Sequence, residues 1–197
     1  ISELYDSRDE MAVITRNVIW NNDFLNMYTD KEKDILGKYS SNLFTLNTFY
    51  TANKTIVGRT IKKDTEKFLL NYWNNVVEYM TQWQELQHRE ITKVDLRESY
   101  IATQSIVIQA LGRIGNYYIL HQDEMKDGLR GLEKINWSRS AKQWYMRAVG
   151  KNGRIITSKK AALLISNVIK KELGITLSAE EINAEDALKK TIKDQRF

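Results

Sequence analysis

The sequence predicts an all-α protein, a single bundle-like domain of about eight helices over residues 1–197. Three observations support this prediction. Proline breaks helix interiors, and the chain contains none. Apolar residues recur at intervals of three and four, as in helices that bury one face. The apolar fraction of 42 % is enough for one ordinary core, and no apolar run is long enough to span a membrane.

The first helix is predicted to begin at Asp6, which has the side chain of an N-cap. Asp9 and Glu10 would then lie in the first turn, where acidic groups interact favourably with the positive end of the helix dipole. The helix should fray near Asn22. The chain begins at Ile1 and has no initiator methionine, so we expect it to be a piece of a longer protein.

Three more helices are predicted before residue 90. Thr29 and Glu32 have the spacing of a capping box, which predicts a short helix toward Leu36. A third helix is expected over 43–58. The strongest prediction is a central core helix over 64–88, with an apolar face that contains Leu69, Trp73, Val76, Met80 and Trp83.

A polar segment, 88–99, separates this helix from the second half of the chain. Gly112 and Gly115 lie three residues apart in a predicted helix, where they would let another backbone approach closely or, less specifically, bind phosphate. Residues 151–154 read as a tight turn. Helices are expected at 102–120, 123–134, 140–149 and 158–173, followed by a last one that Ser178 and Glu181 cap.

Positive charge is concentrated near the C-terminus. The whole chain carries +5, but segment 126–171 alone carries +10, so the rest sums to −5. Only Asp127 and Glu133 oppose the twelve cations of this segment. Such a surface is typical of nucleic-acid binding proteins, although a lysine-rich surface that is only solvated would have the same sequence pattern. The twelve cations are Lys126, Arg130, Lys134, Arg139, Lys142, Arg147, Lys151, Arg154, Lys159, Lys160, Lys170 and Lys171.

Within this segment we expect two helices and the turn between them to contact the phosphates of double-stranded DNA. Asn167 and Lys170 should face outward on the second helix, and Asn167 and Arg154 have the chemistry to read base edges. Trp137 and Trp144, seven residues apart, predict core anchors on one helical face, with stacking on unpaired bases as the alternative. The predicted phosphate contacts are Arg139, Lys142, Arg147, Lys151, Arg154, Lys159 and Lys160.

Other candidate chemistry is sparse. Asp6 and Asp9 flank Arg8, which indicates helix capping with a local ion pair, or else a carboxylate pair or an arginine clamp. His121 lies near two acids, but a surface helix end explains it better than a metal site. The chain contains no cysteine, which excludes disulfides, thiolate zinc sites and a cysteine nucleophile, and is compatible with the cytoplasm. We predict no cofactor, metal or catalytic residue.

Four blocks of sequence carry a resemblance to a known family: LYDSRDEMAVITRNV, TDKEKDILGKYSSNLFTLNTFYTAN, ALGRIGNYY, and the long run INWSRSAKQWYMRAVGKNGRIITSKKAALLISNVIKKELGITLSAEE. From Leu4 to about Glu181 the chain resembles the DndB family of DNA sulfur modification proteins and, more broadly, bacterial DGQHR-domain proteins. The namesake motif is missing, because the only Gln-His pair, Gln87-His88, follows a leucine. The resemblance therefore implies the C-terminal helical region of a longer protein.

The resemblance implies a DNA-binding regulator of the modification genes, rather than the catalyst that transfers sulfur to the DNA backbone. The lack of cysteine agrees, because persulfide chemistry needs a thiol. A second hypothesis is an interaction or scaffold module of a modification complex, with exposed aromatics such as Trp20, Tyr39 or Tyr100 as anchors. A third, less favoured hypothesis is a metal-dependent nuclease, whose carboxylates would be Asp6, Asp9, Asp95 and Glu98.

Overall fold

The computed structural model describes residues 8–37 and 39–195, and this part of the chain is predominantly α-helical. The predicted all-α class is confirmed. Between the helices lie two short strands, β1 (Thr29–Asp30) and β2 (Phe44–Thr45), which pair in parallel. The α-helices are α1 (Glu10–Trp20), α2 (Asp23–Tyr28), α3 (Leu46–Val57), α4 (Thr65–Tyr79), α5 (Thr81–Gln87), α6 (Lys93–Ser99), α7 (Ser105–Tyr118), α8 (Met125–Leu129), α9 (Lys159–Glu172) and α10 (Ala179–Asp194).

The predicted core helix over 64–88 is two helices, α4 and α5. Its apolar face is buried as predicted, and Trp73 and Trp83 are both fully buried. The prediction of one continuous helix is wrong, because Met80 has an extended backbone with ψ 99°. The Gln84 side chain donates to the Val77 carbonyl at 2.7 Å and satisfies an acceptor near this break. Apolar spacing continues across the break, so periodicity alone does not reveal it.

Near the N-terminus, α1 is capped by Asp9, whose carboxylate accepts from the Ala12 N–H at 2.9 Å. The predicted cap, Asp6, lies outside the described residues. The predicted helix from Thr29 is wrong, since Thr29 belongs to β1 and the chain then turns. The Asp30 carboxylate accepts from the backbone N–H groups of Glu32 and Lys33 at 2.9 Å, and this local bonding competes with helix formation.

Helices α3 and α7 pack closely and run in parallel. The Gln109 side-chain amide donates to the Thr48 carbonyl. About two turns further along both helices, the Asn116 side-chain amide donates to the Ile56 carbonyl. A Cβ atom at Gly112 would lie 3.1 Å from the backbone of α3, so the predicted close approach at the glycines is confirmed. Residue numbers increase in the same direction along both helices from one of these hydrogen bonds to the next. Helices α3 and α7 therefore begin at the same end of the bundle.

Helix α9 runs in the same general direction as α7. Arg113 and Ser166 bond near the middle of the two helices, at 3.1 Å. Their C-terminal ends both pack on the segment 128–131, where Gly128 meets Tyr118 and Gly131 meets Leu173. We call the end of the bundle where α3, α7 and α9 begin the N-terminal pole.

Two further segments differ from their predicted structure. Residues 140–149 form one 3-10 turn, Lys142–Trp144, rather than a helix. The Trp144 carbonyl there accepts three backbone N–H groups, and Trp144 stacks on Trp137 with 5.2 Å between ring centroids. The polar segment 88–99 contains α6, which begins with a capping box between Thr92 and Asp95. Within the described ranges, every helix is too short or too polar to cross a membrane.

Candidate nucleic-acid interface

The twelve cations of segment 126–171 do not share one surface. Four exposed cations lie at or just before the start of α9, and we call this set the basic turn: Lys151, Arg154, Lys159 and Lys160. Three more of the twelve, together with Arg113 of α7, are bound to carboxylates of α10, and we call this second set the covered basic cluster: Arg113, Arg147, Lys170 and Lys171. The two sets differ in exposure and in partners.

The basic turn is held in shape by its backbone. The Gly150 N–H donates to the Arg154 carbonyl at 2.8 Å, and the Arg154 N–H donates to the Asn152 side chain at 3.0 Å. Gly153 has φ +74°, in the left-handed region that favours glycine. The predicted tight turn is therefore present, and it holds the Lys151 and Arg154 side chains in solvent.

Lys159 and Lys160 occupy the first turn of α9, directly after the Ser158 cap, whose hydroxyl accepts from the Ala161 N–H at 3.1 Å. A helix N-terminus carries about half a positive charge, so cations are unfavourable there and anions are favourable. Both lysines are exposed, and neither forms an ion pair with a described residue. An anion bound at this end would relieve the repulsion.

Arg139 connects the basic turn to α6. Its guanidinium donates to the Arg97 carbonyl at 3.2 Å and to the Gly153 carbonyl at 3.5 Å. Its backbone N–H bonds the Ser99 carbonyl. Arg139 is half-buried and ties the turn to α6, so its guanidinium holds the turn in place.

Arg147 does not belong to the exposed surface. Its Nη1 lies 2.8 Å from the nearer Glu185 carboxylate oxygen and also donates to the Leu164 carbonyl at 2.8 Å. The two side chains are only 13 % and 6 % exposed. Withdrawing Arg147 to contact a phosphate would leave the buried Glu185 without its main partner, which opposes the predicted contact at this residue.

Lys142 is exposed but lies elsewhere. It lines a cleft of about 320 Å³ with Val168 and Glu172, near the C-terminal end of α9. The basic turn adjoins the opposite end of that helix. Val168 and Glu172 follow Lys160 by 8 and 12 residues, so Lys142 lies roughly 12–18 Å along the helix from the first turn of α9.

The four cations of the covered basic cluster pair with two glutamates of α10, which cancel half of their charge. Glu181 bonds Lys170 at 2.8 Å and lies 3.7 Å from Arg113. Glu185 bonds Arg147 and lies 3.6 Å from Lys171. Both glutamates are nearly fully buried. The acids that cancel this part of the positive segment thus come from the chain that follows it.

Glu181 is held in its charged form. Burial acts to raise the pKa of its carboxyl, but hydrogen bonds from Lys170 and from the Ser178 backbone outweigh burial and lower that pKa below 4.5, its ordinary value. Ser178 and Glu181 also form the capping box of α10, which confirms the predicted start of the last helix.

Of two other predictions for this segment, one is wrong and one is confirmed in part. Asn167 was expected to face outward, but it is fully buried and donates to the Glu181 carbonyl at 3.2 Å. It therefore cannot read a base edge. Trp137 and Trp144 are also fully buried, which confirms them as core residues and leaves no face for an unpaired base, although they lie on no common helix.

The remaining candidates have structural partners. A hydrogen bond of 2.6 Å from the Tyr50 hydroxyl lowers the pKa of the Asp9 carboxyl. Arg8 is exposed near the start of α1. Asp95 caps α6, on a different helix from Asp9. His121 stacks on Tyr117 at a helix end. In the described ranges, no three histidine or acidic side chains come close enough to hold a metal ion.

Sequence reasoning missed the residues of α6, which the Arg139 side chain connects to the basic turn, and those just before α7. Arg97 lies on α6 and accepts a hydrogen bond from Arg139. The Thr92–Asp95 capping signature marks α6 and could have identified the helix that carries Arg97. No local signal identifies Thr103, which becomes part of a cleft only through the packing of α3 on α7.

Comparison with family models matches residues 1–176 to DndB, described as DNA-sulfur modification-associated. Searches among curated proteins and solved structures gave no match. Helix α10, which covers the covered basic cluster, follows the matched region. The match extends over most of the 197 residues, so the chain belongs to the DndB family, and this family associates it with DNA sulfur modification.

Proposed function

We propose that this DndB-family chain is a regulatory protein of DNA sulfur modification, which binds double-stranded DNA and catalyses no reaction. One observation carries the proposal: the basic turn presents four exposed cations within ten residues, with no acid between them, at a helix N-terminus. Lysine, arginine and a helix N-terminus are the groups that proteins use to bind the DNA backbone.

The family match supports DNA as the polyanion, since its description names DNA sulfur modification. Persulfide sulfur transfer needs a thiol, and the chain has no cysteine, which supports a binding role rather than a catalytic one. A bacterial protein that binds DNA would act in the cytoplasm, where the DNA is.

The physical basis is the release of counterions from DNA. Each phosphate that a cation neutralises contributes about −0.9 to the slope of log affinity against log salt concentration. With the four cations of the basic turn, we expect a slope of roughly −4. The seven contacts predicted from the sequence would have given a steeper slope, but Arg147 and Arg139 are bound inside the protein and Lys142 lies apart.

The test is fluorescence anisotropy of a labelled duplex at several salt concentrations, with the wild type and the variant Lys151→Glu/Arg154→Glu. Loss of two phosphate contacts should weaken binding and reduce the slope by about 2. The matched control is Lys62→Glu/Lys63→Glu, which changes charge equally at two exposed lysines beyond the C-terminal end of α3.

The control separates a local site from the effect of net charge. The Lys62/Lys63 variant should retain the wild-type slope. Equal losses in both variants would show that only overall charge matters. Binding that ignores salt, or no binding by the wild type, would refute the proposal.

A second function, docking to another protein of the modification system, is favoured by individual exposed apolar side chains, although Tyr100, one of the predicted anchors, is partly buried against the core. Trp20 is 68 % exposed, and Ile35 and Tyr39 are 85 % and 88 % exposed. Large exposed aromatics are typical anchors of protein interfaces. Nuclease-resistant co-purification with another modification protein, lost in Trp20→Ala, would support it. Retention of the partner by that variant would argue against it.

A further inference from the structure

A cleft of about 480 Å³ lies at the N-terminal pole, where α3 and α7 begin side by side. The two helices are parallel and close, so their positive ends point to the same place. Each end is equivalent to about +0.5 charge, and the repulsion between them favours an anion there. The polar lining includes Thr45, Asn47, Arg97, Thr103, Gln104 and Ser105.

Helix α7 begins without a side-chain cap. Its N-cap residue, Gln104, makes no capping hydrogen bond. The N–H groups of Val107 and Ile108 both donate to the Gln104 carbonyl. The N–H groups of Ser105 and Ile106 therefore find no acceptor among the described residues, and Ser105 lines the cleft.

Thr103 gives an independent indication of a ligand. It lines the cleft and is only 7 % exposed, yet its hydroxyl makes no hydrogen bond within the described part of the chain. The hydroxyl oxygen is not one of the fully buried polar atoms that lack a partner, so the remaining exposure of Thr103 opens onto the cleft and a ligand can reach the hydroxyl there. An oxygen atom of a ligand in the cleft would supply the partner. Beside it, the hydroxyls of Ser105 and Thr48 lie 3.4 Å apart and join the starts of α7 and α3.

The charged groups of the lining favour an anion. The Arg97 guanidinium is fixed by hydrogen bonds to the carbonyls of Ser40 and Asn42. One carboxylate, Asp34, also lines the cleft. The two helix ends together with Arg97 outweigh this single acid, so the cleft is net positive.

We propose that this cleft binds a phosphoryl group, through the N–H groups of Ser105 and Ile106, the Thr103 hydroxyl and the Arg97 guanidinium. The cleft and the basic turn are joined through Arg139, which contacts both Arg97 and Gly153. The phosphoryl group has two sources, a backbone phosphate of DNA or a free phosphorylated molecule. The first source rests on the proposed function, and the second does not.

The test is an NMR titration of the ¹⁵N-labelled chain with inorganic phosphate. The Ser105 and Ile106 amide signals should shift. Thr103→Val keeps the shape of the side chain and removes the hydroxyl, so phosphate affinity should fall about tenfold. Asp34→Asn should raise that affinity, because it removes the opposing charge. The melting temperature of Thr103→Val should equal or exceed that of the wild type, since the lost hydroxyl has no internal partner.

Duplex binding by the same variants identifies the source. If Thr103→Val weakens both phosphate and duplex binding, the ligand is a backbone phosphate. If it weakens phosphate binding alone, the ligand is a free phosphorylated molecule. Unshifted amides at millimolar phosphate, or equal phosphate affinity in wild type and Thr103→Val, would overturn the proposal. Failure of the proposed function appears separately, as a wild type that does not bind duplex.

Discussion

The basic turn and the covered basic cluster contain the same kinds of side chain but have opposite surroundings. The basic turn lies in solvent at a helix N-terminus, where the positive end of the helix dipole repels Lys159 and Lys160. The covered basic cluster faces α10, whose Glu181 and Glu185 form ion pairs with it. The comparison teaches that a run of positive charge in a sequence is not one surface. Its parts become binding groups or structural ion pairs according to what packs on them.

The largest expected effect follows from removing a buried partner. Glu185→Ala leaves Arg147 buried without its carboxylate, which should lower the free energy of unfolding by about 3–5 kcal/mol. Urea denaturation measures the change. Arg147→Met/Glu185→Leu should recover most of the loss, because it removes both charges and keeps apolar volume. A loss no greater than that of Lys151→Ala, which should be under about 0.5 kcal/mol, would erase the contrast between the two regions.

Acid should loosen the covered basic cluster by protonating Glu181. The folded-state pKa of this group is lowered, so its contribution to stability is complete above its unfolded value of about 4.5 and is lost as the pH falls through the folded value. At neutral pH, Glu181→Gln should cost about 1.5–3 kcal/mol.

Urea midpoints of wild type and Glu181→Gln between pH 7 and pH 3 test this prediction. The two midpoints should converge as the pH falls below 4.5. A constant difference across this range would mean that the charge of Glu181 does not stabilise the contact.

A substitution in the basic turn should change stability and binding in opposite directions. Lys160→Glu replaces a cation in the first turn of α9 with an anion, so the helix dipole should stabilise the fold by about 0.3–1 kcal/mol. The same change should weaken duplex binding. Thermal melting and anisotropy measure the two effects, and a loss in both would indicate that Lys160 has a structural role.

The smallest effect is expected at the rim of the covered basic cluster. Lys171 is 57 % exposed and lies 3.6 Å from Glu185, so Lys171→Ala should cost about 0–1 kcal/mol. The cost should decrease further at high salt because exposed charges are screened. Urea denaturation at two salt concentrations measures it, and a cost equal to that of Glu185→Ala would contradict the assignment of Arg147 as the main partner.

The sequence predicted most helices but not every boundary. Apolar spacing correctly located α4, α7 and α9, because a buried helical face has a period near 3.6. It failed at Met80, where the apolar face continues through a break in the backbone. It also failed at 140–149, where two tryptophans with helical spacing stack on each other although no helix carries both. In both places long-range packing overrides the local pattern.

The sequence by itself determined the all-α class, the turn at 151–154, the capping of α10 and the concentration of positive charge. These properties depend on neighbours a few residues apart along the chain. Only the tertiary structure decided which cations remain in solvent, because Glu185 lies 38 residues from Arg147 and no local pattern connects them. It alone also brought the starts of α3 and α7 together, since parallel packing joins Thr48 and Ser105 across 57 residues.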